Sequence, residues 1–140
     1  MTGDHQQPLI EGGCLCGAIR YQIRAVPRRT THCHCIHCRR TSGAAFMTWS
    51  EIDSAAFRII SGSPSRHECR PQVFRQFCAQ CGGHLTYTRA GEPETIDVAT
   101  CSLDHPEAAK PDDHVWCDRI LPWVKLNDGL PKYGRGRQDG

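Results

Sequence analysis

Ile19, Tyr21 and Ile23 alternate with Arg20, Gln22 and Arg24. That period of two belongs to a strand with one face buried and the other in water. Strand-like runs are also predicted over residues 44–49, 57–60, 73–78, 85–88, 95–101 and 114–117. Turn signals separate them: Pro27 before Arg28 and Arg29, Gly62-Ser63-Pro64-Ser65, Gly91-Glu92-Pro93, and Asp128-Gly129-Leu130-Pro131. One helical turn is expected at Arg39-Arg40-Thr41-Ser42, closed by Gly43. Short strands with frequent turns predict a mainly β domain.

Composition sharpens this picture. A chain of 140 residues is most naturally one domain. Thirteen glycines and nine prolines, with only 39% hydrophobic residues, suit many turns around a modest core. A formal net charge of +2, with no basic stripe interleaved with aromatics, gives no reason to invoke nucleic acid. No apolar run reaches the ~18 residues of a membrane span.

The ten cysteines change the picture most. They cluster as Cys14-x-Cys16, Cys33-x-Cys35-x-x-Cys38 and Cys78-x-x-Cys81, with Cys69, Cys101 and Cys117 outside any metal spacing. The N-terminal stretch shows no apolar signal segment, so a reducing, cytoplasmic setting is the expectation. Clustered cysteines in that setting point to metal rather than to disulfides. Two glycine-flanked knuckles, Cys14/Cys16 and Cys78/Cys81, each open a strand, and together they make the four-thiolate set typical of structural zinc. The second knuckle is expected at the tip of a hairpin.

The stretch THCHCIHCRRTS then keeps three sulfurs to itself. In an extended segment Cys33 and Cys35 face one side, His32 and His34 the other, and Cys38 returns after a turn. His37 can point either way. If Cys69, Cys101, Cys117 or a histidine completes the shell, the site is closed and structural; if not, it has an open position. A zinc ion held by three thiolates is a poor generator of hydroxide, but it can hold an incoming thiol as thiolate. Arg39 and Arg40 are candidates to offset the site charge or clamp a substrate carboxylate. Cys101 and Cys117 read as buried reduced thiols, Trp116 and Trp123 as core, His84 as a surface side chain or one that supports the adjacent knuckle, and His114 as a surface or satisfied side chain unless it faces the open metal. Asp97, inside an apolar strand, needs a partner or water.

Four segments, GGCLCGAIRY, HCHCIHCRRTSGAAF, FCAQCGGHL and HVWCDRILPWVKLNDGLP, resemble the glutathione-dependent formaldehyde-activating enzyme family, which includes centromere protein V-like proteins. The resemblance spans 12–133, which makes that range the expected domain and 1–11 and 134–140 flexible tails. It implies small antiparallel sheets in a β-tent stapled by zinc. It implies two zinc ions: a structural one on Cys14, Cys16, Cys78 and Cys81, and a catalytic one on Cys33, Cys35 and Cys38. The implied activity is carbon–sulfur lyase chemistry, the reversible addition of a thiol such as glutathione to formaldehyde. A non-catalytic zinc module that serves protein interaction is the alternative.

Overall fold

The computed structural model describes residues 8–137. Strands β1 (Ile10–Gly13), β2 (Arg20–Ile23) and β3 (Arg29–Cys33) lead into the helix α1 (Ile36–Ser42). Then follow β4 (Met47–Asp53), β5 (Phe57–Ser61), β6 (Ser65–Arg70), β7 (Val73–Phe77), β8 (His84–Arg89), β9 (Thr95–Ala99) and β10 (Asp113–Val115). They form a three-stranded sheet ordered β1-β2-β5 and a seven-stranded sheet ordered β10-β3-β4-β9-β8-β7-β6. Every pairing is antiparallel except β10 with β3 at one edge. The fold is mainly β, as the short alternating runs predict.

The alternation in β2 does what its period requires. Tyr21 and Ile23 are fully buried, and Arg20 on the other face pairs with Asp104. Ile19, Tyr21 and Ile23 pack against Ile52, Leu85, Ile96, Val98 and Leu103, so the main core lies between the two sheets. The opposite face of the large sheet is different. Register places Arg75, Tyr87, Asp97, Glu51 and Arg29 side by side across β7, β8, β9, β4 and β3. This mostly charged row lines a cavity instead of packing into a core.

Three strands carry no apolar alternation and were not expected. β6 reads SRHECR and among the described residues pairs only with β7, so it is a polar edge strand of the kind that resists further pairing. β1 is short and ends in two glycines. β3 reads RTTHC: Arg29, Thr31 and Cys33 line a cavity, while Thr30 and His32 hydrogen-bond Ser50 and Thr48 on the other face. The expected domain limits were 12–133; Ile10 and Glu11 pair with Ile23 and Gln22, and Arg137 forms an ion pair with the buried Asp113. Residues 1–7 and 138–140 of the expected tails lie outside the described residues.

Candidate metal centres

The first cysteine pair sits in the turn between β1 and β2. Cys14 N–H donates to the Ile19 carbonyl at 3.1 Å, and Gly17 N–H donates to the Cys14 carbonyl at 3.1 Å. The second pair sits between β7 and β8, where Cys78 N–H donates to the Gly83 carbonyl and Gly82 N–H to the Cys78 carbonyl. Both turns need a left-handed residue, supplied by Gly17 (φ 82°) and Gly82 (φ 78°). Backbone N–H groups then point at the sulfurs: Ile19 N–H to Cys14 Sγ at 3.3 Å and Cys81 N–H to Cys78 Sγ at 3.5 Å. Backbone N–H groups of Cys16 and Gly83 likewise stabilise a Cys81 thiolate and lower its pKa to about 6.

The four sulfurs lie within 4.8 Å of one another, with Cys14–Cys16 at 3.7 Å and Cys16–Cys78 at 3.8 Å. A tetrahedron with metal–sulfur bonds of ~2.3 Å has sulfur–sulfur edges of ~3.8 Å. The cradle therefore has the size of a thiolate-bound zinc ion, and the four cysteines could hold a metal. Because β1 and β2 belong to the small sheet and β7 and β8 to the large one, the cluster joins the two sheets.

The second cluster is built at the corner from β3 to α1. Cys33 ends the strand, Cys35 is the N-cap of the helix, and Cys38 lies one turn on. Cys38 N–H donates to Cys35 Sγ at 3.3 Å, and Trp49 Nε1–H donates to Cys38 Sγ at 3.4 Å. Gly43, in the left-handed conformation at φ 70°, ends the helix as expected. The three sulfurs lie within 4.8 Å of one another, and among the described residues no fourth His, Cys, Asp or Glu joins them. Their ionisation is mutually opposed: Cys33 and Cys38 stabilise a Cys35 thiolate, and hydrogen bonding to Cys35 and Cys38, then burial, raises the pKa of Cys33. A divalent cation is the group that lets all three ionise together, so this trio also fits a metal.

His32 and His34 do face the other side of β3. His34 Nε2 lies 2.9 Å from His114 Nδ1, and His114 Nε2 lies 2.7 Å from Asp128 Oδ2. Burial, with neighbouring His114 and His32, takes the His34 pKa down to about 4 and keeps that ring neutral. His114 is thus a satisfied, buried histidine. His32, His114 and Asp128 also bring three donor atoms within 4.8 Å of one another. Their imidazole rings are stacked, with centroids 4.7 Å apart, and His32 Nδ1 is engaged by Thr48 Oγ1 at 2.7 Å.

A cavity of about 510 Å³ opens beside the three-sulfur cluster. Cys33, Cys35, Cys38, His37, Trp49, Tyr87 and Trp116 line it, together with the charged row of the large sheet. Arg39 and Arg40 do not line it; the arginines that do are Arg29, Arg70, Arg75, Arg89, Arg119 and Arg137. Sequence reading missed these because they are scattered over six segments and meet only in the folded chain, four of them through strands of the large sheet. Trp116 and Trp123 are not core: both are exposed, Trp116 in the cavity lining. Cys101 is exposed and Cys117 half-buried, because the strand expected over 95–101 ends at Ala99 and that over 114–117 ends at Val115.

Asp97 lies on the cavity floor, where burial first and then the nearby Glu51 raise its pKa to about 6. The folded protein therefore holds this proton more tightly than the unfolded chain does. Stability from this group falls as pH rises from about 4 to 6, and the full cost persists above. Asp97→Asn removes the charge, so it is expected to stabilise the protein at pH 8 by up to ~3 kcal/mol, and by less at pH 5. Urea unfolding at the two pH values measures this; a gain that does not grow with pH would show that burial of the charge is not the cause.

Residues 9–119 match the family described as glutathione-dependent formaldehyde-activating enzyme. The chain belongs to this family. A relative in Halomonas elongata, named "Putative glutathione-dependent formaldehyde-activating enzyme", is 23% identical over 127 residues, covering 84% of this chain and 81% of its own. The crystal structure of a Rhodobacter sphaeroides protein superposes with a TM-score of 0.57 at 19% identity, covering 88% of this chain and 98% of that one. The likeness shows that the fold is shared. In this member of the formaldehyde-activating family, the matched range contains both cysteine clusters and ends just beyond Cys117.

Proposed function

We propose that the protein is a zinc-dependent carbon–sulfur lyase acting on a thiol–aldehyde adduct of the S-hydroxymethylglutathione type. The observation that carries this reading is the trio Cys33, Cys35 and Cys38, which gains no fourth protein ligand among the described residues and borders a cavity large enough for a small peptide thiol. The competing reading, a non-catalytic zinc module, calls for a closed second shell. Family membership and the name of the Halomonas relative support glutathione and formaldehyde as the substrate pair.

In this reading Cys14, Cys16, Cys78 and Cys81 hold a structural zinc, and Cys33, Cys35 and Cys38 hold the catalytic one. The chemistry zinc supplies there is the retention of a bound thiol as thiolate at neutral pH. The protein's own groups do the rest. Trp49 Nε1–H and the Cys38 N–H donate to ligand sulfurs and so disperse their negative charge. Trp49, Tyr87 and Trp116 present aromatic walls that reduce access of water to the reacting atoms. In the forward direction the substrate sulfur forms a bond to the formaldehyde carbon. The carbonyl π pair moves to oxygen, which takes up the proton the thiol released; the reverse step restores both reactants. No electron is gained or lost overall. The ten cysteines are unpaired, which suits a reducing compartment such as the cytoplasm. Among the described residues no helix is long and apolar enough to cross a membrane.

Exchange between free formaldehyde and its glutathione adduct, followed by NMR with and without zinc-loaded protein, tests the reading. The protein is expected to accelerate exchange. Unchanged exchange for glutathione, cysteine and 2-mercaptoethanol alike would rule the lyase out.

A further inference from the structure

Arg75 is 6% exposed, and its Nη1 is a buried donor with no hydrogen-bond partner. It forms no ion pair with a carboxylate among the described residues, whereas Arg29, Arg89 and Arg137 are paired with Glu51, Glu92 and Asp113. A buried, unpaired guanidinium is costly, and native proteins keep such groups satisfied. Arg75 is held by aromatic faces instead. Its guanidinium carbon lies 4.9 Å from the centroid of Tyr87 and 5.8 Å from that of Trp49. Trp49 is also the residue that donates to Cys38 Sγ. Arg75 thus stands one aromatic ring away from the three-sulfur cluster, in the lining of the same cavity.

The neighbourhood is positive. Arg70 Nη2 donates to Tyr87 Oη at 2.8 Å, and the Arg89 guanidinium carbon lies 6.0 Å from the Tyr87 centroid. Of the carboxylates on the floor, Glu51 is paired with Arg29, and Asp97 forms no ion pair among the described residues and has its pKa raised to about 6, by burial first and then by Glu51, so it is readily held neutral. An acid group entering beside Tyr87 meets a planar guanidinium that lines the cavity and has no carboxylate partner among the described residues.

We propose that Arg75 is the specificity-determining anion anchor of the cavity, binding a carboxylate of the thiol whose sulfur approaches Cys33, Cys35 and Cys38. This rests on the reading that a thiol occupies the cavity, and it narrows the substrate class to acid-bearing thiols and their adducts. Arg75 positions the substrate and takes no part in bond making. Charge-assisted hydrogen bonds of this kind change affinity by about one to two orders of magnitude.

The test is calorimetric titration of the zinc-loaded protein with S-methylglutathione and with its diethyl ester. Both lack a free thiol, so binding is read without turnover. Wild type is expected to bind the acid at least ~10-fold more tightly than the ester. Arg75→Lys and Arg75→Met should each weaken the acid by ~10- to 100-fold and leave the ester unchanged. Circular dichroism and zinc content confirm that the variants are folded and loaded. The proposal is overturned if wild type fails to bind the acid or does not distinguish it from the ester. It is also overturned if the variants lose both ligands equally, or if Arg75→Met keeps the discrimination and instead loses the second zinc. Acid-selective binding that depends on Arg75 without any lyase turnover would uphold the anchor and refute the lyase reading.

Discussion

Cys35→Ala is expected to abolish exchange of the thiol–aldehyde adduct, by about a thousandfold or more, while leaving the fold and one zinc in place. Cys35 is the half-buried member of the trio and the N-cap of α1, with its sulfur facing the cavity. Two thiolates do not make a closed tetrahedral or open three-ligand site, so the second ion should be lost or bound far more weakly. The structural cost is small by comparison. Removing the sulfur deletes one capping bond to Cys38 N–H, worth ~1 kcal/mol, and a seven-residue helix contributes little to the core. Metal analysis should fall from two zinc ions per chain to one, with the protein still folded at 25 °C and its melting temperature lowered by the lost binding of the second ion. Turnover at the wild-type rate with one zinc remaining would sink the open-site mechanism. Loss of both ions, or of the fold, would mean that the two clusters are not independent.

The two clusters were legible because metal ligands must sit close in space, and here closeness in sequence largely provides it. C-x-C and C-x-x-C segments bring two sulfurs together whatever the rest of the chain does. The apolar alternation of Ile19, Tyr21 and Ile23 was legible for a similar reason: burial of one face of a strand leaves a direct record in residue type. The cavity left no such record. Arg29, Glu51, Arg75, Tyr87 and Asp97 become neighbours only when five strands adopt one register. Charged residues in strands normally mark solvent, so their pattern carries the wrong sign for a concave face. Arg39 and Arg40 follow Cys38 directly in sequence and share α1 with it, yet neither lines the cavity. β6 and β3 were missed for the same physical reason, since neither buries an apolar face.

Cys78→Ser should have the opposite balance from Cys35→Ala: a large loss of stability, with activity lost only as a consequence. Cys78 is 2% exposed and belongs to the main core, beside Cys14, Ile19 and Leu85. Its cluster spans a three-stranded sheet and a seven-stranded one, so a metal held there would link them across a modest hydrophobic interface. Structural four-thiolate zinc sites contribute on the order of 10 kcal/mol to folding in small domains, comparable with the 5–15 kcal/mol that a whole domain possesses. A serine at position 78 weakens the site and buries a hydroxyl without its metal, so a loss of about 5 kcal/mol or more is expected. A strong chelator should likewise unfold the wild-type protein at temperatures where the Cys35→Ala protein with its remaining zinc stays folded. Urea titration and near-ultraviolet circular dichroism measure both effects. A Cys78→Ser protein with a wild-type unfolding midpoint would show that the sheets hold together through apolar packing alone, and the cluster would then have to be reassigned from staple to some other use.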